Sequence, residues 1–479
     1  MWSDNETAED LLGFQVHADL IRDVVLDINM LPVTVGVFGD WGGGKTSLMK
    51  MLEHDLAPES WVAVSAERKA CEGVVVIYVN PWLFEGYDDA KAALLDAVLV
   101  QLGEHKRFGP KVRDKALSLL KSINLMRAAK LGVKHVVVPA AAAMVTVGPA
   151  AVLPAVAVGL GASALTQRKG GEESAPDEQR QPGPDWESLV DINAAGSGPM
   201  GVRTFRDRFA KMLADSDILS LVVLIDDLDR CTPERIIDSL EAIKLFLSVE
   251  RTAFVVGADP RIVQHAIRTR YAGPATKGDG PGESDRLVKD YLEKLVQVPY
   301  RLPRLSASEI ETYMGMLFCK QHLSADDATV CVRTCARERA KNRYGTFGYA
   351  AVKEALNRSD LGPALTDAMS LCASAAPLIA DGLKGNPRQV KRFLNALMLR
   401  KRLASVAQLK DIRDDVLVKL MILEYTDEER FLELFGWQGR QNGHPKELVC
   451  LEDALLDSEK DPSDEDAASA AGPAWATAP

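Results

Sequence analysis

Val33-Thr34-Val35-Gly36-Val37-Phe38-Gly39-Asp40-Trp41-Gly42-Gly43-Gly44-Lys45-Thr46-Ser47-Leu48 is the stretch on which the reading of this chain turns. Its first half is β-branched and aromatic, the composition that packs on a pleated, buried surface, so a strand is predicted there. Gly39 to Thr46 then matches the phosphate-loop pattern G-x-x-x-x-G-K-[ST]. Leu48, Leu52 and Leu56 recur every fourth residue, the spacing of one helix face, until Pro58 ends the segment. Strand, loop and helix come in the order that this motif needs.

The residue types carry the chemistry. Glycines at 39, 42, 43 and 44 let the backbone take φ > 0 and turn its N–H groups inward around phosphate oxygens, with the helix N-terminus adding positive partial charge. Lys45 is placed to reach the β- and γ-phosphates, the Thr46 hydroxyl to ligate Mg²⁺, and Ser47 to complete the nucleotide-binding loop. A glycine-rich turn before an ordinary helix is the competing reading, and the flanking strand and helix argue against it.

Working outward, residues 1–30 read as a helical lead-in with Ala18, Ile21, Val24, Val25 and Ile28 on one side. Downstream, Val74 to Val79 is a continuous β-branched run, read as a central strand buried on both faces. It runs into Asn80-Pro81-Trp82-Leu83-Phe84-Glu85, and Leu94, Leu95, Val98, Leu99 and Leu102 mark a helix beyond it. The second apolar strand, Ile218 to Ile225, ends in Asp226-Asp227-Leu228-Asp229-Arg230. An apolar strand closing on two carboxylates, downstream of a phosphate loop, is a Walker B element. Asp226 is then the Mg²⁺ carboxylate, and Asp227 is placed to orient or deprotonate the attacking water. Thr232-Pro233-Glu234 starts a helix, Ala253 to Gly257 is a further strand with Asp259 at its end, and Val296 to Leu302 reads as a closing strand. Asp259 is suited either to sensing the γ-phosphate or to making a turn before Pro260.

Between the two motifs the character changes. Residues 106–134 are rich in Lys and Arg, whereas nothing from His135 to Gln167 is charged. That exceeds the roughly 20 residues of one membrane-crossing helix. Yet Pro139, Pro149 and Pro154 interrupt it and alanine dominates, and both motif strands must fold on the same side of any membrane. Two readings follow: a hairpin that dips into the bilayer and returns, or a soluble helical hairpin buried against protein. Residues 169–201 read as a polar linker.

Beyond Pro303 the chain reads as helical, opening on Ser306-x-x-Glu309 as a capping box and interrupted at Gly385-Asn386-Pro387-Arg388. The predicted organisation is an NTPase core in two halves (1–104 and 201–303), a basic and apolar insert with linker (105–200), a helical domain (304–443) and an acidic, disordered tail (444–479).

Composition sets the outer bounds. The chain has 479 residues, enough for two or three domains, and its net charge of −11 argues against direct nucleic-acid binding. Seven scattered cysteines without a C-x-x-C pair are the pattern of reduced thiols, and the acidic start of the chain lacks a signal peptide's basic region and apolar core. A cytoplasmic location, at the inner face of the membrane if the hairpin inserts, is the expectation.

Four blocks together resemble the KAP family of P-loop NTPases: Gly39 to Ser47, Val79 to Glu85, Ile225 to Cys231, and Gly-Asn-Pro-Arg-Gln-Val-Lys-Arg-Phe-Leu-Asn at 385–395. The resemblance covers about residues 8–400. It implies an α/β core of the additional-strand (ASCE) type with a central parallel sheet, an inserted apolar hairpin, and a C-terminal helical domain related to the lids of other ATPases. It also implies that Arg388 contacts the γ-phosphate as a sensor or arginine finger, an arrangement worth on the order of 10³–10⁵ in rate in other NTPases. Asp229 and Arg230 match the family's block, with an intersubunit ion pair as one reading. Family members occur in phage-exclusion and bacterial defence loci. The opening Asp4-Asn5-Glu6-Thr7 and Asp10-Leu11-Leu12 resemble the ATPase component of Qat-type defence systems. The expected cofactors are ATP and Mg²⁺, and the expected partners are other proteins of a defence operon or further copies of the chain. The expected function is an ATP-driven conformational switch; the alternative is a nucleotide-gated scaffold with little hydrolysis.

Overall fold

The structure is a computed structural model, and it describes residues 1–57, 73–84, 90–105, 112–119, 202–216, 218–246, 249–271, 283–342, 344–409 and 412–458. The expected hairpin (135–167) and linker (169–201) lie outside the described residues.

Five parallel strands form the core sheet: β1 (Val33–Phe38), β2 (Val74–Val79), β3 (Ser220–Ile225), β4 (Thr252–Ala258) and β5 (Val298–Arg301), in the order β2-β3-β4-β1-β5. β1, which leads into the glycine loop, and β3, which ends on Asp226 and Asp227, are therefore not neighbours. β4 lies between them, in register Val33↔Ala253 on one side and Leu221↔Thr252 on the other. This is the additional strand that the family resemblance implies.

Helices cover both faces. α1 (Gln15–Leu26) and α2 (Lys45–Leu56) lie on one face, and α3 (Ala90–Glu104), α4 (Val202–Ala214), α5 (Pro233–Phe246), α6 (Pro260–Tyr271) and α7 (Glu283–Leu295) contribute to the other. Period-2 alternation sorts the strand side chains between the two layers: Val222 and Leu224 of β3 join the first core, whereas Leu221, Val223 and Ile225 join the second.

β2 corrects the reading of Val74–Val79 as a central strand. It sits at the edge of the described sheet and pairs only with β3. The apolar run reported burial on both faces, and both faces are indeed covered, by α2 and α3. That coverage is as available to an edge strand as to a central one.

The helical domain follows β5: α8 (Ala307–His322), α9 (Ala325–Lys341), α10 (Tyr349–Leu356), α11 (Pro363–Gly382), α12 (Pro387–Val406), α13 (Asp414–Thr426), α14 (Glu428–Arg440) and α15 (Lys446–Ser458). α8 opens on the expected capping box: Ser306 accepts from Glu309 N while the Glu309 carboxylate accepts from Ser306 N. The core of these helices is continuous with the α1–α2 side of the sheet, Tyr313, Phe318 and Phe393 sharing one buried cluster with Phe14, Leu48 and Val35. No hydrophobic boundary separates nucleotide loop from helical domain.

Three further expectations are revised. Residues 1–14 are not helical; the lead-in helix begins at Gln15, and Ile28 is exposed in a short 3-10 turn. The chain after Gly443 is not structureless: α15 spans Lys446–Ser458, its start tied by Gln441, whose side chain bonds the Glu447 carboxylate and Lys446 N. Residues 459–479 lie outside the described set. Among the described residues, α11 is the one helix long and apolar enough to cross a membrane, but Leu365, Met369, Cys372 and Ile379 are buried in the protein and it packs on α8, as a core helix does.

Candidate functional site

The nucleotide loop leaves the C-terminal edge of the sheet, where ligands of open parallel sheets bind. Of its four glycines, Gly42 (φ +79°) and Gly44 (φ +93°) use the left-handed region; Gly39 and Gly43 do not. Gly42 is doubly constrained, because a Cβ there would lie 2.6 Å from Arg388 Cβ. Gly44 caps α2, whose first residue is Lys45.

Lys45 is buried. Its Nζ donates to Gly39 O (3.0 Å) and Asp40 O (3.3 Å) and pairs with Asp229 Oδ2 at 3.0 Å. Asp229 also accepts from Asp259 N at 2.8 Å, so it joins the ends of β3 and β4 to the loop lysine. Asp229 thus serves an ion pair within the chain. Asp259 makes a turn: its carboxylate accepts from the backbone and guanidinium of Arg261 at the start of α6. Burial works against its charge, but those bonds and nearby Lys45 hold its carboxyl below the usual range.

Asp226 is fully buried at the end of β3. Tyr78 Oη donates to its Oδ2 at 2.6 Å, while Oδ1 finds no hydrogen-bond partner among the described residues. That oxygen lies beside Gly257 of β4, where an added Cβ would sit 2.9 Å from it. Asp227 follows in the left-handed region (φ +57°), a conformation that Asp tolerates better than most residues and that turns the chain into the 3-10 turn Leu228–Arg230. Asn80 Nδ2 donates to Asp227 Oδ2 (2.8 Å), and Arg230 Nε meets Oδ1 at 2.7 Å. Burial and the neighbouring Asp226 raise the Asp227 pKa, against the pull of Arg230 and Asn80.

The helical domain reaches the loop directly. Asn386 caps α12, accepting from Arg388 N and Gln389 N, and its Nδ2 donates to Trp41 O at 2.7 Å. Arg388 N also donates to Gly42 O at 3.3 Å. The Arg388 side chain faces the same cleft as Lys45, Thr46 and Asp227, and there it binds Asp4 Oδ2 through Nε and Nη2, each at 2.6 Å.

Asp4 belongs to an N-terminal segment that crosses the cleft. Trp2 anchors one end: Trp2 N donates to Asn395 Oδ1 and Asn395 Nδ2 to Trp2 O, both at 2.8 Å, and the indole donates to Leu317 O. Thr7 N reaches Ser47 Oγ at 3.4 Å, and Asp10 accepts from four successive backbone N–H groups, Leu12 to Gln15. Lys45, Arg230 and Arg388 each face a carboxylate of the chain itself: Asp229, Asp227 and Asp4. Lys391, one helical turn beyond Arg388, also lines the cleft, half-buried, with burial drawing its pKa down.

Most of the expected site residues are thus brought to one place. Gly42, Gly44, Lys45, Thr46, Ser47, Asp227 and Arg388 line one cleft, whereas Gly39 and Gly43 line a neighbouring hollow with Pro260 and Arg301, and Asp226 lies buried at the sheet end. A buried carboxylate oxygen without a hydrogen-bond partner among the described residues suits a divalent cation, and Asp226 with Thr46, whose side-chain type also ligates such ions, could hold one. With the geometry in hand, the comparison with known proteins is direct: the KAP family P-loop domain matches residues 14–404.

The chain belongs to the KAP family. Its relatives include the Phage T7 exclusion protein of Escherichia coli K12, 24% identical over 313 residues. That match covers 64% of this chain and 35% of the relative. The Kinase D-interacting substrate of 220 kDa from Rattus norvegicus is 22% identical over 196 residues, 40% of this chain and 11% of that protein, and the Homo sapiens protein matches equally. The chain therefore spans about a third or less of these relatives. As a KAP member it carries a nucleotide-binding fold of the P-loop class.

Sequence reasoning missed three contributors: Asp4 in its pairing with Arg388, Asp229 in its intrachain role, and Tyr78. Only Asp229 left a signal, as a third acid in a motif that needs two.

Proposed function

We propose that the chain is an Mg²⁺-dependent ATPase that works as a nucleotide-driven conformational switch in bacterial anti-phage defence. One observation carries the reading: Arg388 of the helical domain and Lys45 and Asp227 of the core face one cleft, while Asn386 and Arg388 N bond the loop itself. A triphosphate in that cleft touches both parts of the molecule at once, so its presence and loss change how they are held together.

In this reading the loop amides of Gly39 to Ser47 and Lys45 bind the phosphates, Thr46 and Asp226 hold Mg²⁺, Asp227 takes the proton of the attacking water, and Arg388 meets the γ-phosphate. Mg²⁺, when bound, neutralises charge on the β- and γ-oxygens. The phage-exclusion relative supports the defence role, with operon proteins or further copies of the chain as partners. Residues 135–167 remain a proposed membrane contact, testable by vesicle flotation with and without that segment.

The rival reading, a nucleotide-gated scaffold with little turnover, is favoured by the engagement of both Asp227 oxygens. Phosphate release from ATP by wild type, Lys45→Ala and Asp227→Ala separates the two. Release in wild type alone supports the ATPase; no release with all operon proteins present supports the scaffold. Loss of phage protection in the Lys45→Ala strain supports the defence role, and unchanged protection overturns it.

A further inference from the structure

Arg230 stands three residues beyond Asp227, at the end of the 3-10 turn, and its Nε holds Asp227 Oδ1 at 2.7 Å while Asn80 holds Oδ2. Both oxygens of Asp227, the acid after β3 that faces the nucleotide cleft, are thus occupied by donors of the chain. In the water-activating role proposed above, one of them has to be freed.

The guanidinium lies near two aromatic rings. Its Cζ lies 5.1 Å from the ring of Trp41, in the phosphate loop, and 5.5 Å from the ring of Trp82, just after β2. Flat contacts of this kind fix the plane of an arginine while its hydrogen-bonding edge stays available. Only one third of the side chain is exposed, and it lines the cleft with Lys45, Thr46 and Arg388. Trp41 also carries Arg388 at 5.8 Å, so one loop tryptophan positions an arginine from each half of the cleft.

We propose that Arg230 is a catalytic residue of this hydrolysis: when ATP binds, its guanidinium passes from Asp227 to the γ-phosphoryl oxygens. The transfer does two things. It brings positive charge to the γ-phosphoryl oxygens, whose negative charge it offsets in the transition state, and it frees Asp227 Oδ1. In the step that follows, the water oxygen bonds to the γ-phosphorus and the bond to the β–γ bridging oxygen breaks, its electron pair leaving on ADP. The water proton goes to Asp227 Oδ1 and then to solvent as phosphate departs. Arg230 returns to Asp227 in the empty cleft. The inference rests on the ATPase reading above.

The test compares Mg²⁺-dependent binding of ADP and of the non-hydrolysable analogue AMP-PNP to the full chain, with steady-state kinetics. Wild type is expected to prefer AMP-PNP. Arg230→Gln removes that preference and lowers kcat by on the order of 10²-fold or more, while ADP affinity stays within a few-fold of wild type, and Arg230→Lys, which keeps the charge, recovers part of both losses. A merely structural role would weaken ADP and AMP-PNP alike. An AMP-PNP preference retained in Arg230→Gln, or equal loss of both nucleotides, overturns the proposal. If wild type releases no phosphate, the ATPase reading fails, while the binding preference still decides whether Arg230 touches the γ-phosphate.

Discussion

Lys45 Nζ lies 3.0 Å from Asp229 Oδ2, and both side chains are almost fully buried, at 9% and 3% exposure. The lysine of the phosphate loop thus already has an anion before any nucleotide arrives. Breaking a buried pair from one side leaves an uncompensated charge, at a cost of about 3–5 kcal/mol. Lys45→Ala is therefore expected to lower thermal stability as well as abolish nucleotide binding. Adding Asp229→Asn to that variant should restore much of the stability without restoring binding. Calorimetry of the two proteins measures this, and equal melting temperatures would refute the pairing.

Asp4 holds Arg388, and under the proposed function it competes there with phosphate. The pair is partly exposed, with 42% and 32% side-chain exposure, so its strength is modest, about 1 kcal/mol. Asp4→Asn is expected to tighten ATP binding by about fivefold. The same substitution should loosen the N-terminal segment, read as faster proteolysis before Gly13. Arg388→Ala should weaken ATP binding more than ADP binding, because only ATP brings the γ-phosphate.

Asp227 has a raised pKa, from burial first and Asp226 second. A base must be deprotonated, so turnover is lost as pH falls through that raised value, and the acid limb should lie above the ordinary carboxylate range. Asp227→Asn should cut kcat by about 10²–10⁴ with nucleotide affinity retained. Asn80→Ala removes a bond that favours the ionised form and should shift the same limb further upward. A raised folded-state pKa also means that ionisation opposes folding, so stability from this group falls as pH rises from the unfolded pKa through the folded one. Asp227→Asn should accordingly melt no lower than wild type at neutral pH.

Gly257 gives Asp226 its room. A methyl group there would come within 2.9 Å of the unpartnered Oδ1, with Tyr78 already holding the other oxygen. Gly257→Ala should raise the Mg²⁺ concentration needed for ATP binding by about 10- to 100-fold, the usual effect of disturbing a metal ligand's support. Tyr78→Phe should act in the same direction. Mn²⁺ titration followed by electron paramagnetic resonance reads both without relying on turnover.

Arg388 was legible only through a resemblance between blocks, and Asp4 was legible only as part of such a block, with no sign of its partner. Their contact spans 384 positions of sequence, and no local pattern records a pairing at that distance. Val74–Val79 was read correctly as buried and wrongly as central, because side-chain composition reports how many faces are covered but not which backbone edges are paired. The helix at Lys446–Ser458 was hidden by the acidic composition around it, although Leu448, Leu451 and Leu455 keep helical spacing.

What the amino-acid sequence determined by itself was local. The glycine loop, Lys45 and Thr46 follow from spacing within a dozen residues, as does the strand ending in Asp226 and Asp227, because phosphate and metal chemistry require those groups on one turn. Tertiary structure alone decided how the charges are shared: Asp229 on Lys45, Arg230 on Asp227, Asp4 on Arg388. The first and last of these pairings depend on which strand ends and helix starts the parallel sheet brings to one edge, whereas Arg230 and Asp227 are three residues apart in one turn. That placement is set by packing over the whole chain, since the energy of a charge pair depends on distance and burial rather than on sequence separation.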